Sequence, residues 1–313
     1  DSGDLQKAIS KYEWILERNH NYIEARGNLA LALKVTGDYE AAILEYERTY
    51  RVMKTFVIEF HMASTLLTLG RFKEGWKSYE YRWKTDPLDK VIWPLDERDL
   101  WDGQGDKRII LWREQGIGDD IIFLSLVSEA FKISKSLSVY IDPRLIPLCT
   151  RSMPGINFKK YTPGKFDGEE FDYHLPMGSL PRLFRSSEKD FDKVVRGYLK
   201  ADPKRVELLR DELGVRGKKV IGISWTSFRG SNMENKNMDL ILMGKIFKDV
   251  DMTLVNLQYG DVDKEIREFK SETGIDVLQC SSVDNREDLD GLAALIEMCD
   301  LVISTSNVTI HLA

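Results

Sequence analysis

A pattern that recurs about every 34 residues occupies the first third of the chain and restricts the folds open to it. Three segments share a glycine at the start, a small residue in the middle and a tyrosine near the end: GDLQKAISKYE (3–13), GDYEAAILEYE (37–47) and GRFKEGWKSYE (70–80). Between them, stretches such as EARGNLALALKVT carry apolar residues at i, i+3 and i+4, the spacing of an amphipathic helix. The pattern therefore predicts helix–turn–helix repeats.

The repeat length and the small residue in the second helix resemble the tetratricopeptide repeat (TPR), and the resemblance covers residues 1–84. We expect Ala8, Ala42 and Gly75 to let neighbouring helices approach closely. Two roles remain open for these helices. They either stack only on one another and on the next domain, or form a concave groove that binds a protein segment.

A break in helical periodicity follows the repeats. Residues 85–107, TDPLDKVIWPLDERDLWDGQGDK, are rich in proline, glycine and charged side chains, and we interpret them as a linker.

Beyond the linker, short apolar runs alternate with helical patterns, which predicts parallel, doubly wound sheets. The predicted strands are RIILW, LSVYID, NFKKY, FDYHLP, KVIGISW, MTLVNLQ, IDVLQC and LVIST, and DDIIFLSLVSEAFKIS, RLIPLCTRS and DLDGLAALIEMC are predicted helices. We expect two Rossmann-like halves, 108–213 and 214–313, with a ligand cleft at the carboxyl ends of their strands. The second half is short for such a unit, and we expect it to be incomplete in this chain.

Composition restricts the classes of partner. The net charge is −6 and no basic block occurs, which argues against binding to nucleic acid. No apolar run approaches the roughly 20 residues that span a bilayer. The three cysteines and four histidines are scattered, which argues against disulfides and a metal centre and favours a reducing, cytoplasmic compartment.

The segment REQGIGDD follows the first predicted strand of the α/β region and contains Gln115, Gly116, Gly118, Asp119 and Asp120. We expect the glycines to permit positive φ and a close ligand approach. The aspartates fit either the capping of a helix or an active-site loop. Full dinucleotide-binding glycine spacing is missing, and Asp142 is the acidic residue that ends the next strand.

Two loops of the second half carry polar side chains at the ends of predicted strands. One loop, GISWTSFRGSNMENKNMDL (222–240), contains hydroxyls, amides and cations that suit a diphosphate, and it also fits an ordinary surface loop. The other, STSNVTIHLA (304–313), combines a hydroxyl-rich turn with the start of a helix, an arrangement that binds anions. His311 either donates to such an anion or is a hydrogen-bonded interior histidine.

Taken with the repeats, the segments LWDGQGDKRIILWREQGIGDDIIFLSL, GISW, LQYGD and DLVISTSNVTIHLA resemble bacterial repeat-containing glycosyltransferases. Their catalytic part is similar to the ADP-heptose:lipopolysaccharide heptosyltransferases and, more distantly, to protein O-GlcNAc transferases. This resemblance implies a GT-B fold and inverting, metal-independent transfer from a nucleotide-diphosphate sugar, without a cofactor, to a protein or glycan acceptor positioned by the repeats. The competing hypothesis is a non-catalytic interaction protein with a degenerate GT-B-like part.

The resemblance also implies roles for residues. Asp119 matches the catalytic base, with Gln115, Gly116 and Gly118 in the acceptor loop, and Lys236 matches the phosphate-contacting lysine. Donor binding is expected of Lys236 and of Trp225, Thr226, Ser227, Gln258, Ser306, Asn307, Thr309 and His311. Ser306 departs from the family pattern, since it stands where these transferases have an acidic residue.

Overall fold

The computed structural model describes residues 2–85, 99–163, 165–166, 168–192, 197–227, 237–248 and 251–313. Lys236, the lysine predicted to contact the donor phosphate, lies outside these residues. Contacts between residues divide the chain into two units, a helical unit of residues 1–103 and 179–194 and an α/β unit of residues 104–178 and 195–313.

Consecutive helices make up most of the helical unit, each packed against the next. They are α1 (Ser2–Arg18), α2 (Ile23–Thr36), α3 (Tyr39–Val52), α4 (Phe56–Thr68) and α5 (Phe72–Tyr79), followed by a 3₁₀ turn, Glu80–Lys84. The turns between these helices follow from local chemistry. Gly37 ends α2 in the left-handed region with φ of 87°, which glycine adopts without strain, and the Asp38 carboxylate accepts the Ala41 N–H at the start of α3.

Small residues lie where these helices meet. Ala42 is fully buried, and Gly75 is so close to α4 that a Cβ there would lie 2.7 Å from Leu67 Cδ2 and 3.1 Å from the Leu67 backbone nitrogen. The expected close approach is therefore present at Gly75, and Ala42 packs in a buried cluster with Ala30, Tyr46 and Ile58. Of the tyrosines that recur at this spacing, Tyr46 is buried, at 1% exposed, whereas Tyr12 and Tyr79 are half-buried.

A short later segment also belongs to the helical unit, although the sequence placed it within 108–213. It contains the helix α9 (Leu180–Phe184) and the 3₁₀ turn Glu188–Phe191. Aromatic packing explains the difference, because the ring centroid of Phe191 lies 4.7 Å from that of Phe72, and the centroid of Phe184 lies 6.2 Å from that of Trp101.

The described residues of the α/β unit form two four-stranded parallel sheets, and both have the same strand order. The first half contains β1 (Arg108–Trp112), β2 (Ser136–Ile141), β3 (Asn157–Lys160) and β4 (Tyr173–Pro176) in the order β3-β2-β1-β4. The second contains β5 (Val220–Ser224), β6 (Thr253–Asn256), β7 (Val277–Leu278) and β8 (Leu301–Ser304) in the order β7-β6-β5-β8. The predicted parallel α/β architecture is confirmed.

The helices of the α/β unit connect these strands. They are α6 (Ile117–Leu124), α7 (Val127–Ile133), α8 (Ile146–Ser152), α10 (Pro203–Glu212), α11 (Leu240–Phe247), α12 (Asp263–Thr273), α13 (Leu289–Glu297) and α14 (Val308–Leu312). The single helix predicted over 119–134 was wrong. It divides at Ser125 and Leu126, whose N–H groups donate to Ile122 and Phe123 three residues back and so tighten the turn.

Buried strands explain the continuous apolar runs in the sequence. All five residues of β5 are buried, and Ile221, Ile223 and Trp225 pack in a core with Phe269 of α12 and other apolar side chains. Among the described residues, no helix is both long and apolar enough to cross a membrane.

Two glycines in the helices of the first unit allow a matched test of this packing. We expect Gly75→Ala to destabilise the protein by about 1–3 kcal/mol, because the new methyl overlaps Leu67. Gly27→Ala should instead stabilise it by about 0.5–1 kcal/mol, because the nearest atom is 4.0 Å from the added Cβ and alanine favours a helix. Thermal unfolding of the full chain measures both, and equal effects of the two substitutions would contradict the observed packing.

Candidate functional site

A cleft of about 850 Å³ lies between the two halves of the α/β unit. Its walls come from the loops and helix starts that follow strands of both sheets, which is where doubly wound sheets bind ligands. The lining residues are Arg113, Gly116, Ile117, Gly118, Asp119, Asp142, Pro143, Arg144, Ser227, Tyr259, Asn285, Arg286, Glu287, Leu289, Ser306, Asn307, Val308 and His311.

The glycine loop after β1 lies in this cleft, but its glycines do not have the expected positive φ. Gly116 is extended, with φ of −69°, and Gly118 lies within α6. A different constraint requires glycine at 118. A Cβ there would lie 2.8 Å from Cδ2 and 3.1 Å from Nε2 of His311, so the missing side chain makes room for a ring from the other half.

Asp119 and Asp120 are neighbours in the first turn of α6 and have different surroundings. Asp119 is half-buried and lines the cleft, and its Oδ2 accepts the N–H of Gly116 at 3.1 Å. Asp120 is 1% exposed, with Oδ2 2.7 Å from Nε of Arg113. Burial raises the pKa of the Asp120 carboxyl to about 7, although the charge of Arg113 acts to lower it. Asp119 is therefore both a helix cap and a carboxylate available to the cleft.

A second carboxylate, Asp142, follows β2 and lies between two arginines. Nη1 of Arg113 donates to its Oδ2 at 3.0 Å, and Nε and Nη2 of Arg144 donate to its two oxygens at 2.9 and 3.0 Å. Burial acts to raise the pKa of Asp142, but hydrogen bonds from Arg144 and the charges of both arginines outweigh burial, so the pKa lies below its ordinary value. Arg144 Nη1 also donates to the Arg286 carbonyl, at 2.9 Å, and so connects this cluster to the second half.

Amide side chains hold together the strand ends of the second half. Gln258 is 1% exposed, and its Oε1 accepts the Ser224 hydroxyl and the backbone N–H groups of Trp225 and Thr226, each at 2.9 Å. Asn307 Nδ2 donates to Ser224 Oγ at 2.7 Å and to the Thr226 carbonyl at 3.0 Å. Its Oδ1 accepts the N–H of Thr309. These contacts hold residues 224–226 at the end of β5 against residues 307–309 after β8.

A smaller cavity of about 340 Å³ lies at the ends of β6 and β7 and shares Tyr259, Asn285 and Arg286 with the cleft. The Asn285 Nδ2 group donates to the Asn256 and Gln258 carbonyls, whereas its buried Oδ1 accepts from none of the described residues. The Arg286 side chain is 65% exposed, and its Nε lies 3.5 Å from Glu287. An unused acceptor and an exposed cation therefore lie where the two cavities meet.

The structure brings together some of the predicted residues and separates others. In the cleft are Gly116, Gly118, Asp119, Ser227, Ser306, Asn307 and His311. Gln258 lines the smaller cavity. Trp225 is 1% exposed and its indole N–H donates to Glu265, and Thr309 is fully buried with its hydroxyl donating to the Leu257 carbonyl at 3.3 Å. Thr226 is half-buried, and the Gln115 carbonyl accepts from Arg113 Nη2 at 2.9 Å.

Several lining residues went unassigned from the sequence, chiefly Arg113, Arg144, Asn285 and Arg286. One signal was available for the first two. Arg113 directly follows a predicted strand, and Arg144 follows the strand-ending Asp142 by two residues. Arg286 and Asn285 come from the segment before α13, where the sequence shows no strand end to mark them.

Comparison with known proteins gives one relative by sequence. No protein-family profile matches the chain. Protein FlbA of Caulobacter vibrioides is 29% identical over 334 residues, which cover 99% of this chain and 56% of FlbA. The chain therefore spans about half the length of the curated relative it matches, and the name FlbA states no activity.

Solved structures with some likeness are glycosyltransferases. A family 9 glycosyl transferase of Veillonella parvula has a TM-score of 0.47 and 12% identity, covering 66% of this chain and 78% of that one. For the ADP-heptose lipopolysaccharide heptosyltransferase II of E. coli the TM-score is 0.44 and the identity 11%, over 66% and 81%. An O-GlcNAc transferase mutant of Thermobaculum terrenum reaches 0.31 and 14%, over 97% and 75%. These scores are too low to assign an activity to the chain.

The contact between Gly118 and His311 allows a test of how the two halves meet. We expect Gly118→Ala to lower the melting temperature, because the new methyl overlaps the histidine ring. In a His311→Ala background the same substitution should be neutral or stabilising, because the space is then empty and alanine favours a helix. A double-mutant cycle by thermal unfolding measures this coupling. Additive effects would show that the two residues do not touch in solution.

Proposed function

We propose that the chain is a glycosyltransferase that moves a sugar from a nucleotide-diphosphate sugar to a hydroxyl of a protein or glycan acceptor. The observation that carries the proposal is a single cleft with the Asp119 carboxylate on one wall and Arg286, Ser306 and His311 on the other. Transfer of this kind needs a base for the acceptor and polar groups for an anionic leaving group, on opposite sides of one carbon. The sequence resemblance described above supports the same activity.

The donor is proposed to lie along the second half. Its diphosphate would lie beside Arg286, whose exposed guanidinium is at the junction of the two cavities. Its nucleoside would occupy the smaller cavity, where the buried Oδ1 of Asn285 offers an acceptor to a base N–H or a ribose hydroxyl. The resemblance implies that Lys236 also contacts the phosphate, and this role is proposed from the sequence alone.

Arg113 and Arg144 are less suited to the diphosphate, although both line the cleft. Arg113 donates to Asp142 and the Gln115 carbonyl and pairs with Asp120, and Arg144 donates to Asp142 and the Arg286 carbonyl. A phosphate would have to displace carboxylates that already neutralise these cations. This engagement favours Arg286 as the cation for the donor.

The proposed reaction inverts the anomeric carbon in one displacement. The Asp119 carboxylate accepts the proton of the acceptor hydroxyl as that oxygen forms its bond to the anomeric carbon. The bond from this carbon to the donor phosphate oxygen breaks on the opposite face, and the nucleoside diphosphate leaves with the electron pair. Arg286 and the hydroxyl of Ser306 stabilise the charge that develops on it, so the step needs no metal ion.

The helical unit is proposed to hold the acceptor as TPR-like repeats. Large apolar side chains are exposed on its helices, among them Trp14 at 56%, Val35 at 61% and Phe56 at 47%. Exposed apolar groups on stacked helices suit the binding of an extended protein segment.

Substitution of the candidate base tests the reaction directly. With a donor and acceptor that the wild type turns over, we expect Asp119→Asn to lower kcat about 100- to 10,000-fold, because the base is lost. The affinity for the donor should stay within about twofold, since Asp119 lies on the opposite wall. Chelation of metal ions with EDTA should leave the wild-type rate unchanged. Turnover near the wild-type value in the variant would refute the assignment of the base.

Charge at position 286 gives a second, independent test. We expect Arg286→Ala to weaken binding of the best nucleoside diphosphate among UDP, GDP and ADP on the order of 10- to 100-fold, the effect of one charge-assisted hydrogen bond. Glu287→Gln should strengthen binding, because it removes the negative charge of the carboxylate whose Oε1 lies 3.5 Å from Nε of Arg286. Arg267→Ala, on the exposed surface of α12, is the matched control. Isothermal titration that shows no difference between Arg286→Ala and Arg267→Ala would remove Arg286 from the donor site.

A non-catalytic interaction protein is the second candidate, and Ser306 favours it because the resembling transferases have an acid at that position. A thermal-shift screen against UDP, GDP, ADP and their sugars separates the two. Stabilisation by one of these ligands supports the transferase, whereas silence across all of them supports the interaction protein.

A further inference from the structure

Asp120 fits neither of the two interpretations that the sequence offers for the glycine–aspartate loop. Asp119 caps the helix and lines the cleft, which accounts for the carboxylate that the loop requires. Asp120 is 1% exposed, and none of the described residues forms a hydrogen bond with its buried Oδ2. Its contact with Arg113, at 2.7 Å, is a charge contact without hydrogen-bond alignment. A buried carboxylate in this state is costly and calls for a reason.

Arg113 shows what this contact does. The backbone N–H of Arg113 donates to the Tyr140 carbonyl at 3.0 Å, which fixes the residue at the end of the sheet. Its Nη2 donates to the Gln115 carbonyl at 2.9 Å and so stabilises the glycine loop. Nη1 donates to Asp142, and Nε faces Asp120. Arg113 therefore joins the strand end through its backbone, and the loop and the start of α6 through its guanidinium.

We propose that Asp120 is a positioning residue whose ionised carboxylate holds Arg113 against the loop that presents Asp119 to the cleft. This inference deepens the proposed function, on which its catalytic consequence rests, because it assigns control of the same cleft to a second residue. Gly116 is the link between them, since it ends the loop that Arg113 holds and its N–H binds Asp119.

The charges around Asp120 make this contact sensitive to pH. Arg113 and Glu114 face it from the loop after β1, Asp142 from the end of β2, Asp119 from its own helix and the Cys149 thiol from α8. One cation therefore stands between two carboxylates, and Asp142 keeps its charge because Arg144 also binds it. Burial raises the pKa of Asp120 to about 7, so it is Asp120 that gains a proton first as pH falls.

Protonation of Asp120 leaves Arg113 without the charge that holds Nε. Most molecules would carry this proton well below about pH 7, and few would carry it well above that value. The loop should therefore be held at pH 8 and looser at pH 6. Under the proposed function, transfer would rise with pH through neutrality, and Asp120→Asn would lower kcat roughly 10- to 100-fold while leaving donor affinity unchanged.

Hydrogen–deuterium exchange of the full chain tests the contact without any nucleotide. The rate for the peptide covering residues 113–124 is measured at pH 6 and pH 8 and corrected for the intrinsic effect of pH. We expect the wild-type peptide to be better protected at pH 8 than at pH 6. In Asp120→Asn, protection at both pH values should be as low as that of the wild type at pH 6. Asp172→Asn is the matched control, because it breaks an Asp–Arg pair with Arg108 at the opposite end of β1. It should leave the peptide unchanged.

Equal protection of the wild-type peptide at the two pH values would overturn the proposal, as would full wild-type protection in Asp120→Asn. If that variant fails to fold, the wild-type comparison still decides. Melting temperatures give a further readout. Because the pKa of Asp120 is raised on folding, its ionisation costs stability as pH rises from about 4 to about 7. The melting temperature of Asp120→Asn should therefore rise relative to wild type between pH 5 and pH 8. Neither hydrogen–deuterium exchange nor the melting temperature depends on transferase activity, so both test the role of Asp120 even if the proposed function is wrong.

Discussion

Two guanidinium groups hold the carboxylate of Asp142 at the point where the first two strands of the α/β unit end. Arg113 follows β1, Asp142 and Arg144 follow β2, and Arg144 reaches the Arg286 carbonyl of the second half. Charges this close in a half-buried position are stable only when each is matched, so the cluster fixes the two strand ends and one edge of the cleft together. The position of the glycine loop, and with it Asp119, depends on this cluster through Arg113.

The two walls of the cleft differ in how much of their polar chemistry is already used. On the first half, Arg113 and Arg144 are engaged by carboxylates and carbonyls. Asp119 is paired with neither arginine, and its carboxylate lines the cleft. On the second half, Gln258 and Asn307 are engaged within the protein, where they bind the backbone of Trp225 and Thr226. On this wall, Arg286 offers an exposed guanidinium to a ligand, and the Oδ1 of Asn285 offers an acceptor that no described residue uses. This difference is the basis for placing the acceptor on one side and the donor on the other.

Periodicity was enough to predict the alternation of strands and helices, because buried parallel strands are continuous apolar runs and the turns between them carry glycine and polar residues. The glycine loop could also be placed, because it directly follows β1. Contacts over long sequence distances could not be predicted. Nothing near Gly118 in the sequence indicates that His311 will lie against it, and nothing distinguishes buried Asp120 from half-buried Asp119. Both depend on which helices meet in three dimensions.

A crystal structure of the chain soaked with the nucleoside diphosphate that stabilises it best would test the central claim most directly. We expect the diphosphate within hydrogen-bonding distance of Arg286, the base in the smaller cavity beside Asn285, and the Asp119 carboxylate facing the phosphate from the opposite wall. A nucleotide bound outside the cleft, or one with its phosphates on the Asp119 wall, would contradict the account.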